Sequence, residues 1–492
     1  MVERRADADT HETGTERKED GGGAASRSGP LWVVVLAACA GQFLVVLDVS
    51  VVNVALPSIR ADLRMDEAGL QWVVNTYTLT FAGFMLLGGR AGDLFGRERV
   101  FLTGLGLFTA ASLAGGLAQE PWQLLAARAV QGVGAAVLAP STLTLLTTSV
   151  PEGPARARAI GTWTAVGAGG GAAGGFVGGV LTDALSWRWV LLVNVPIGVL
   201  VLAAVALRLR GDRTEEGRGS LDVPGAALVT GGLGAVAYGI VQTEAVGWLE
   251  PATLLPLLGG LALLGVFVVV EARTRAPLMP LRLFRLPTVS GANVAMFVCG
   301  AALVSSWYFM SLYMQNVLLF TPLQAGLGFL PHSLAVVAGS KLAPRLMHRA
   351  GARNTALTGV ALSSCGFLWY GLVMAADGSY AATVLGPGVT VMLGTGLLAT
   401  PLASLATTGA PYRDAGVVSA LVNTSRTMGG SLGLAALSTV AASRIADDTP
   451  SALAAGYALA FRTGSAILAC SLLLILLTLP GEERRAAREH LP

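Results

Sequence analysis

GTWTAVGAGGGAAGGFVGG, residues 161 to 179, is the stretch from which the chain is best read. Gly167, Gly171, Gly175 and Gly179 fall four apart, as do Gly170, Gly174 and Gly178, so a helix here carries a double stripe with almost no side chain. In water such a helix is poor, since each Gly costs up to about 1 kcal/mol relative to Ala. In lipid the backbone has no water to bond to and the helix is kept. Small residues at every fourth position then let another helix approach closely. Tight packing alone would account for the glycines; the charges in the flanking segments point further, because a passive bundle would not keep them.

The composition agrees with a lipid setting. The 492 residues are 53% hydrophobic and only 13% charged, with mean hydropathy +0.64, against roughly 25% charged in soluble domains. A formal net charge of +3 gives no reason to expect nucleic-acid binding. Cys39, Cys299, Cys365 and Cys470 all lie in apolar runs with no metal or disulfide spacing, so no metal site is expected.

Residues 1–30 are polar and rich in Gly and Ser, too poor in apolar groups to fold alone, and read as a disordered cytoplasmic tail. The run Leu31 to Pro57 is too long for a signal-peptide core and reads as the first transmembrane helix. Further apolar segments, at about 70–89, 100–118, 122–150, 159–185 and 189–207, complete six. The charged connection Arg208 to Ser220 cannot cross a bilayer and marks a boundary. Two more spans follow, at about 223–242 and 254–270, and then six near 289–313, 323–346, 355–375, 381–408, 416–441 and 457–479. The expected division is a tail (1–30), a first six-helix bundle (31–208), an inserted pair with basic linkers (209–287), a second six-helix bundle (288–480) and a short tail (481–492).

Arginine placement tests this drawing. Links drawn inside carry Arg90, Arg97, Arg99, Arg156, Arg158, Arg208, Arg210, Arg213, Arg218, Arg273, Arg275, Arg282, Arg285, Arg345, Arg349, Arg353 and Arg413. Those drawn outside carry only Arg60, Arg64, Arg188, Arg444 and Arg462. The positive-inside rule then puts both termini in the cytoplasm of a bacterial cell, as an even number of spans requires. The loop 92–97 (GDLFGR) has a degenerate echo in 347–353 (MHRAGAR), which suggests two related halves.

Few residues inside the spans could carry chemistry. Asp48 lies nine residues before Pro57, about 13 Å into the membrane, where a carboxylate must face water, pair with a cation or stay protonated. Arg128, about 9 Å deep on the fourth helix, is the candidate partner, and Gln131 and Gly132 could complete a polar lining. A structural ion pair is the alternative. In the loop GRAGDLFGRER, Gly89, Asp93, Gly96, Arg97 and Arg99 could serve gating, or could only fix topology, with Asp93 capping the third helix or pairing locally. Asn423 and Arg426 lie inside the thirteenth span, where Arg426 could bind substrate, pair with an acid or pack structurally. Tyr77, Trp163, Trp307, Tyr308, Tyr313 and Gln315 could line a cavity for planar apolar molecules, or act as packing and interface anchors.

With these residues in view, Leu31 to Leu479 resembles the major facilitator superfamily, in particular its fourteen-helix branch of drug:proton antiporters. LDVSVVNVALP (47–57) looks like that branch's helix 1 signature, with Asp48 at the acidic position. Residues 89–99 are similar to the superfamily's loop between helices 2 and 3, whose Asp and Arg groups are implied to latch the halves together. RAVQGVGAA (128–136) looks like the helix 4 motif linked to proton coupling. The glycine stretch, followed by Trp187-Arg188-Trp189 and Asn194-Val195-Pro196-Ile197-Gly198, resembles the antiporter motif and its next helix; TPLQAGLGFLP (321–331) also looks like this branch. Gly174-Gly175 stands where the motif has Gly-Pro, and Leu94 and Glu98 where the loop has basic residues.

The resemblance implies an all-α polytopic fold: two six-helix bundles around a cavity, with helices 7 and 8 inserted at the periphery. It also implies proton-coupled export of amphipathic small molecules such as drugs or antibiotics. The proton gradient would be the energy source, with no organic cofactor and no P-loop, and the working state a monomer in the lipid bilayer. The glycine face of helix 5 would act as a close-packed hinge. Alternatives are a narrow-specificity metabolite exporter, an uncoupled facilitator, a membrane-embedded enzyme, for which His11, His332, His348 and His490 are too scattered, or a receptor that translocates nothing.

Overall fold

The computed structural model describes residues 31–151, 154–208, 222–274, 277–407 and 415–479. Both tails and the connections 209–221, 275–276 and 408–414, with Arg210, Arg213, Arg218, Arg275 and Arg413, lie outside those residues. The described chain is helical throughout: α1 (Leu31–Leu63), α2 (Glu67–Phe95), α3 (Arg97–Gly116), α4 (Pro121–Ser149), α5 (Pro154–Ala184), α6 (Trp189–Leu192), α7 (Asn194–Arg208), α8 (Val223–Val246), α9 (Pro251–Arg273), α10 (Pro287–Leu312), α11 (Pro322–Val373), α12 (Gly386–Thr407), α13 (Ala415–Ala442) and α14 (Pro450–Thr478). Short π-helical segments, Tyr313–Val317 and Tyr380–Leu385, extend α10 and precede α12.

The spans follow the apolar segments closely, with three refinements. The first helix does not end at Pro57 but runs through it to Leu63; Pro57 has no N–H to give the Asn53 carbonyl, which accepts from Ser311 Oγ instead. The sixth span is built from α6 and α7 in sequence. Two expected spans are joined in α11, whose 52 residues turn at Gly351 with φ 79° and ψ 161°, a conformation open to glycine and strained for any L side chain. Ten helices are long and apolar enough to cross a membrane when α6 and α7, and α11 as a whole, each count once. Splitting α11 at Gly351 gives eleven, α5 adds one as a bent pair of apolar segments (Arg158–Gly171 and Ala173–Ala184), and α2 and α13 bring the total to fourteen.

Helices α1 to α5 and α7 pack on one another, and so do α10 to α14. Contacts across the seam between these groups run mainly through α5 with α11, α2 with α13, and α1 with α10. The inserted hairpin α8–α9 rests on α2 and α13 through α8. Leu255, Leu258, Leu261, Val266 and Val269 of α9 are exposed, as lipid-facing side chains would be.

The two glycine stripes serve different partners. Cβ atoms built at Gly170, Gly174 and Gly178 would meet Phe43 and Leu47, Ser50, and Val51 of α1, within the same bundle. At Gly175 and Gly179 they would instead meet Phe329 and Gly326, and the backbone of Pro322 and Leu323, on α11 across the seam. Nearer the start of α5, Gly167 and Gly171 touch only Gln42 and Val46 of α1, and Gly161 has nothing within 4 Å. Among these glycines, the ones that meet the other bundle are those toward the Ala184 end of α5. That end is further tied by Ser311 Oγ donating to the Asn53 carbonyl (2.5 Å), Gln315 Nε2 donating to the Val54 carbonyl (2.9 Å), and Arg60 lying 3.7 Å from Asp448.

Candidate functional site

The chemistry concentrates inside the first bundle. Asp48, mid-way along α1, is fully buried, and a carboxylate in that position needs donors in place of water. Three surround it. Arg128 Nη1 of α4 donates to Oδ2 at 2.6 Å, while Gln131 Nε2 of α4 and Asn194 Nδ2 of α7 donate to Oδ1 at 2.7 and 2.9 Å. Spacing 128 and 131 three apart puts both on one helical face. Arg128 also donates through Nη1 to Gln131 Oε1 (2.7 Å) and through Nε to the Val73 carbonyl of α2 (3.1 Å). Its guanidinium lies 4.3 Å from the centre of the Tyr77 ring, also on α2. Gln131 Nε2 continues the network to Ser112 Oγ of α3 at 2.8 Å.

Five helices thus meet at one buried charge pair, and close packing around it is built in. A Cβ at Gly132 would stand 2.5 Å from the Tyr77 carbonyl, so α4 and α2 approach backbone to backbone one residue beyond Gln131. Every group facing the Asp48 oxygens is a donor, which suits a carboxylate and leaves no acceptor for a protonated acid. Sequence reasoning missed Ser112 and Asn194. Asn194 had a signal, as a polar residue opening an apolar span, whereas Ser112 had none.

Several residues expected to line a cavity do not. Tyr77 is buried in the Asp48 cluster beneath Phe81. Tyr308 is buried edge-on against Phe309 in the second bundle, and Tyr313 is buried there with its hydroxyl donating to the Ala375 carbonyl at 2.8 Å. Trp163 packs between α1, α4 and α5, its indole donating to Thr142 Oγ1 at 3.0 Å. In each case the aromatic body finds apolar neighbours inside its own bundle, which removes more surface from water than a cavity wall would. Gln315 belongs to the seam contact already described. Trp307 is half-buried and stacks on Phe329, the residue that meets Gly175.

The loop residues divide similarly. Asp93 lies within α2, and Gly96, with φ 90°, ends α2 and occupies the cap position of α3. Arg97 and Arg99 are exposed at that turn, and Gly89 has only Pro140 within 4 Å. On α13, Asn423 Nδ2 lies 3.7 Å from Met85 Sδ of α2 and Arg426 Nη2 donates to Asn423 Oδ1 at 3.0 Å.

The Major Facilitator Superfamily profile matches residues 38–434. The chain belongs to this superfamily. Among curated relatives of this major facilitator protein, the cephamycin export protein of Amycolatopsis lactamdurans is 49% identical over 465 residues, covering 94% of this chain and 95% of the relative. A puromycin resistance protein of Streptomyces alboniger is 38% identical over 460 residues, covering 90% of each. A lincomycin resistance protein of Streptomyces lincolnensis is 36% identical over 414 residues, covering 84% of each. The solved structure of a proton-dependent oligopeptide transporter superposes with TM-score 0.65 at 15% identity, covering 92% of this chain and 99% of that one, a likeness of fold. The major facilitator chain is thus a multi-pass membrane transporter from a group of antibiotic export and resistance proteins, and not an enzyme.

Proposed function

We propose that the protein exports an amphipathic small molecule of the antibiotic class across the bacterial cytoplasmic membrane in exchange for protons, with Asp48 as the proton carrier. The observation that carries this reading is the all-donor shell of Asp48. Protonating Oδ2 sets an O–H against the Nη1–H of Arg128, so the acid can load a proton only as the guanidinium withdraws. Arg128 is also bonded to Val73 and stacked on Tyr77, and both belong to α2, the helix that meets α13 through Thr78 and Ser431 at 2.6 Å. A proton at Asp48 therefore acts on the seam through one rigid helix.

Contacts between the bundles gather at the end bearing Gly179, Gln315 and Asp448, whereas Gly161, Gly167 and Gly171 of α5, toward the loop of Gly96, meet nothing of α11 among the described residues. With that loop and both termini on the cytoplasmic side, as the arginines suggest, this conformation is the inward-open member of an alternating-access pair. The Gly175 and Gly179 contact is then the part that opens when the bundles rock. No organic cofactor is needed, and one chain contains the whole path, so a monomer suffices.

The test uses everted membrane vesicles with an acid interior, reporting proton efflux by a pH-sensitive dye when a cephamycin, puromycin, lincomycin or ethidium is added. Native protein should release protons with at least one compound and Asp48→Asn with none. Proton release at native rate by Asp48→Asn would refute the assignment.

A further inference from the structure

We infer that Arg426 is an anion-binding subsite and that the exported molecule carries a carboxylate. The inference rests on the transporter reading above and adds a substrate class to it.

Arg426 sits near the middle of α13, between Val422 and Gly430, which are both buried, yet it is itself exposed. Its position on the helix explains where that exposure leads. Asn423 and Ser431 mark the face turned to α2, by contact with Met85 and Thr78. Gly429 and Gly433 mark the face pressed on Phe297 and Ala301 of α10, and Met428 and Leu432 the face against α8. At 100° per residue, Arg426 falls on the α10 side of Asn423 and away from α8. Its backbone packs on Gly300 of α10, so the side chain leaves α13 on the α10 face where that borders α2, the seam helix, and away from α8.

A cation at this depth needs a counter-charge or water. Arg60 pairs with Asp448, Arg128 with Asp48 and Arg188 with Asp62, and Arg426 has no such pair among the described residues. The register of the seam separates it from the acids of α2. Thr78 opposite Ser431 and Met85 opposite Asn423 set α2 antiparallel to α13, which places Arg426 level with residue 82 of α2. Asp93 is eleven residues further on, about 16 Å along the axis. Asp48 is enclosed by its own donors. Between its first and last turns, neither α5 nor α10 carries an acid.

The reachable part of the seam thus holds a guanidinium with one bond, from Nη2 to Asn423, and free N–H groups on Nε and Nη1. Nη2 keeps a second N–H, which pairs with Nε–H or with a hydrogen of Nη1, according to which Nη2 hydrogen Asn423 takes, to form the fork that receives a carboxylate through two parallel bonds. Asn423, half-buried beside Met85, fixes the fork's orientation, and the sulfur supplies an apolar neighbour for the body of an amphipathic ligand.

The experiment measures equilibrium binding to the purified full chain for three matched pairs: cefoxitin, benzylpenicillin and 1-pyrenebutyrate, each as free acid and as methyl ester. Native protein should bind at least one acid about 10- to 100-fold more tightly than its ester. Arg426→Gln should erase that preference, chiefly by weakening acid binding, with an unchanged thermal unfolding midpoint reporting an intact fold, and Arg426→Lys should keep part of it. Acids bound no better than esters in all three pairs, or a preference that survives Arg426→Gln, would overturn the inference. Loss of proton coupling in the vesicle assay with the acid preference retained would instead remove the antiport reading and leave this one standing.

Discussion

Replacing Gly179 by Ala adds one methyl group where α5 meets α11, and the backbone dictates its position. It would lie 2.6 Å from the Pro322 carbonyl oxygen and 2.9 Å from the Leu323 Cα, main-chain atoms that no rotamer change can move. Ordinary contact begins at about 3.4 Å, so α11 must withdraw by about 0.8 Å. Overpacking of this order costs about 1–3 kcal/mol. The nearest atoms all belong to the other bundle, so parting the bundles relieves the strain and neither has to unfold. A bias of that size moves a two-state equilibrium about 5- to 150-fold. Two neighbours are built-in controls. Gly171 has only Val46 Cγ1 at 3.4 Å, so Ala there is tolerated, whereas Gly178 would meet the Val51 carbonyl at 2.8 Å inside its own bundle and lower thermal stability alone. The assay is thiol labelling of Ser311→Cys, a buried seam position, in a background where the four native cysteines are serine. Gly179→Ala should speed labelling at least about fivefold, with Gly171→Ala and Gly178→Ala near the native rate. An unchanged rate in Gly179→Ala, or an equal rise in Gly178→Ala, would refute the division of the two stripes.

Arg128→Gln and Asp48→Asn each strand a buried polar or charged partner and should cost about 3–5 kcal/mol in thermal unfolding, with the double variant losing less than the sum. Gln315→Ala removes the bond to the Val54 carbonyl, worth about 1 kcal/mol, and should raise the labelling rate at position 311 several-fold at native stability. Gly351→Ala forces a side chain onto φ 79° and should lower stability by about 1–3 kcal/mol, visible as a drop in Tm with no change in the Ser311→Cys labelling rate.

The spans were legible because lipid imposes a length and an apolar composition that a linear sequence displays directly. The same logic exposed Asp48 and Arg128, since a charge in such a run is conspicuous. Partner choice was not legible. The glycine spacing announces two flat faces, but nothing in residues 161–179 says that one meets α1 and the other α11. The aromatic residues stayed ambiguous for a related reason: Tyr77 and Tyr313 carry the same composition signal whether they line a cavity or fill a bundle. Ser112 left no trace, because a single hydroxyl in an apolar helix is commonly satisfied by its own backbone.

The helices of the seam include α2 and α13, which fall outside the helices recognised as spans by length and composition, and α5, which qualifies only as a bent pair of segments. During synthesis a segment of that kind gains too little from lipid to settle alone, so each must be received by helices already in place. α2 follows α1, α5 follows α4, and α13 follows α12, each preceded by a strongly apolar helix. The property that lets these helices slide in the finished protein therefore makes them dependent during assembly. Substitutions that make them greasier should help the nascent chain insert while they hold the mature bundles still.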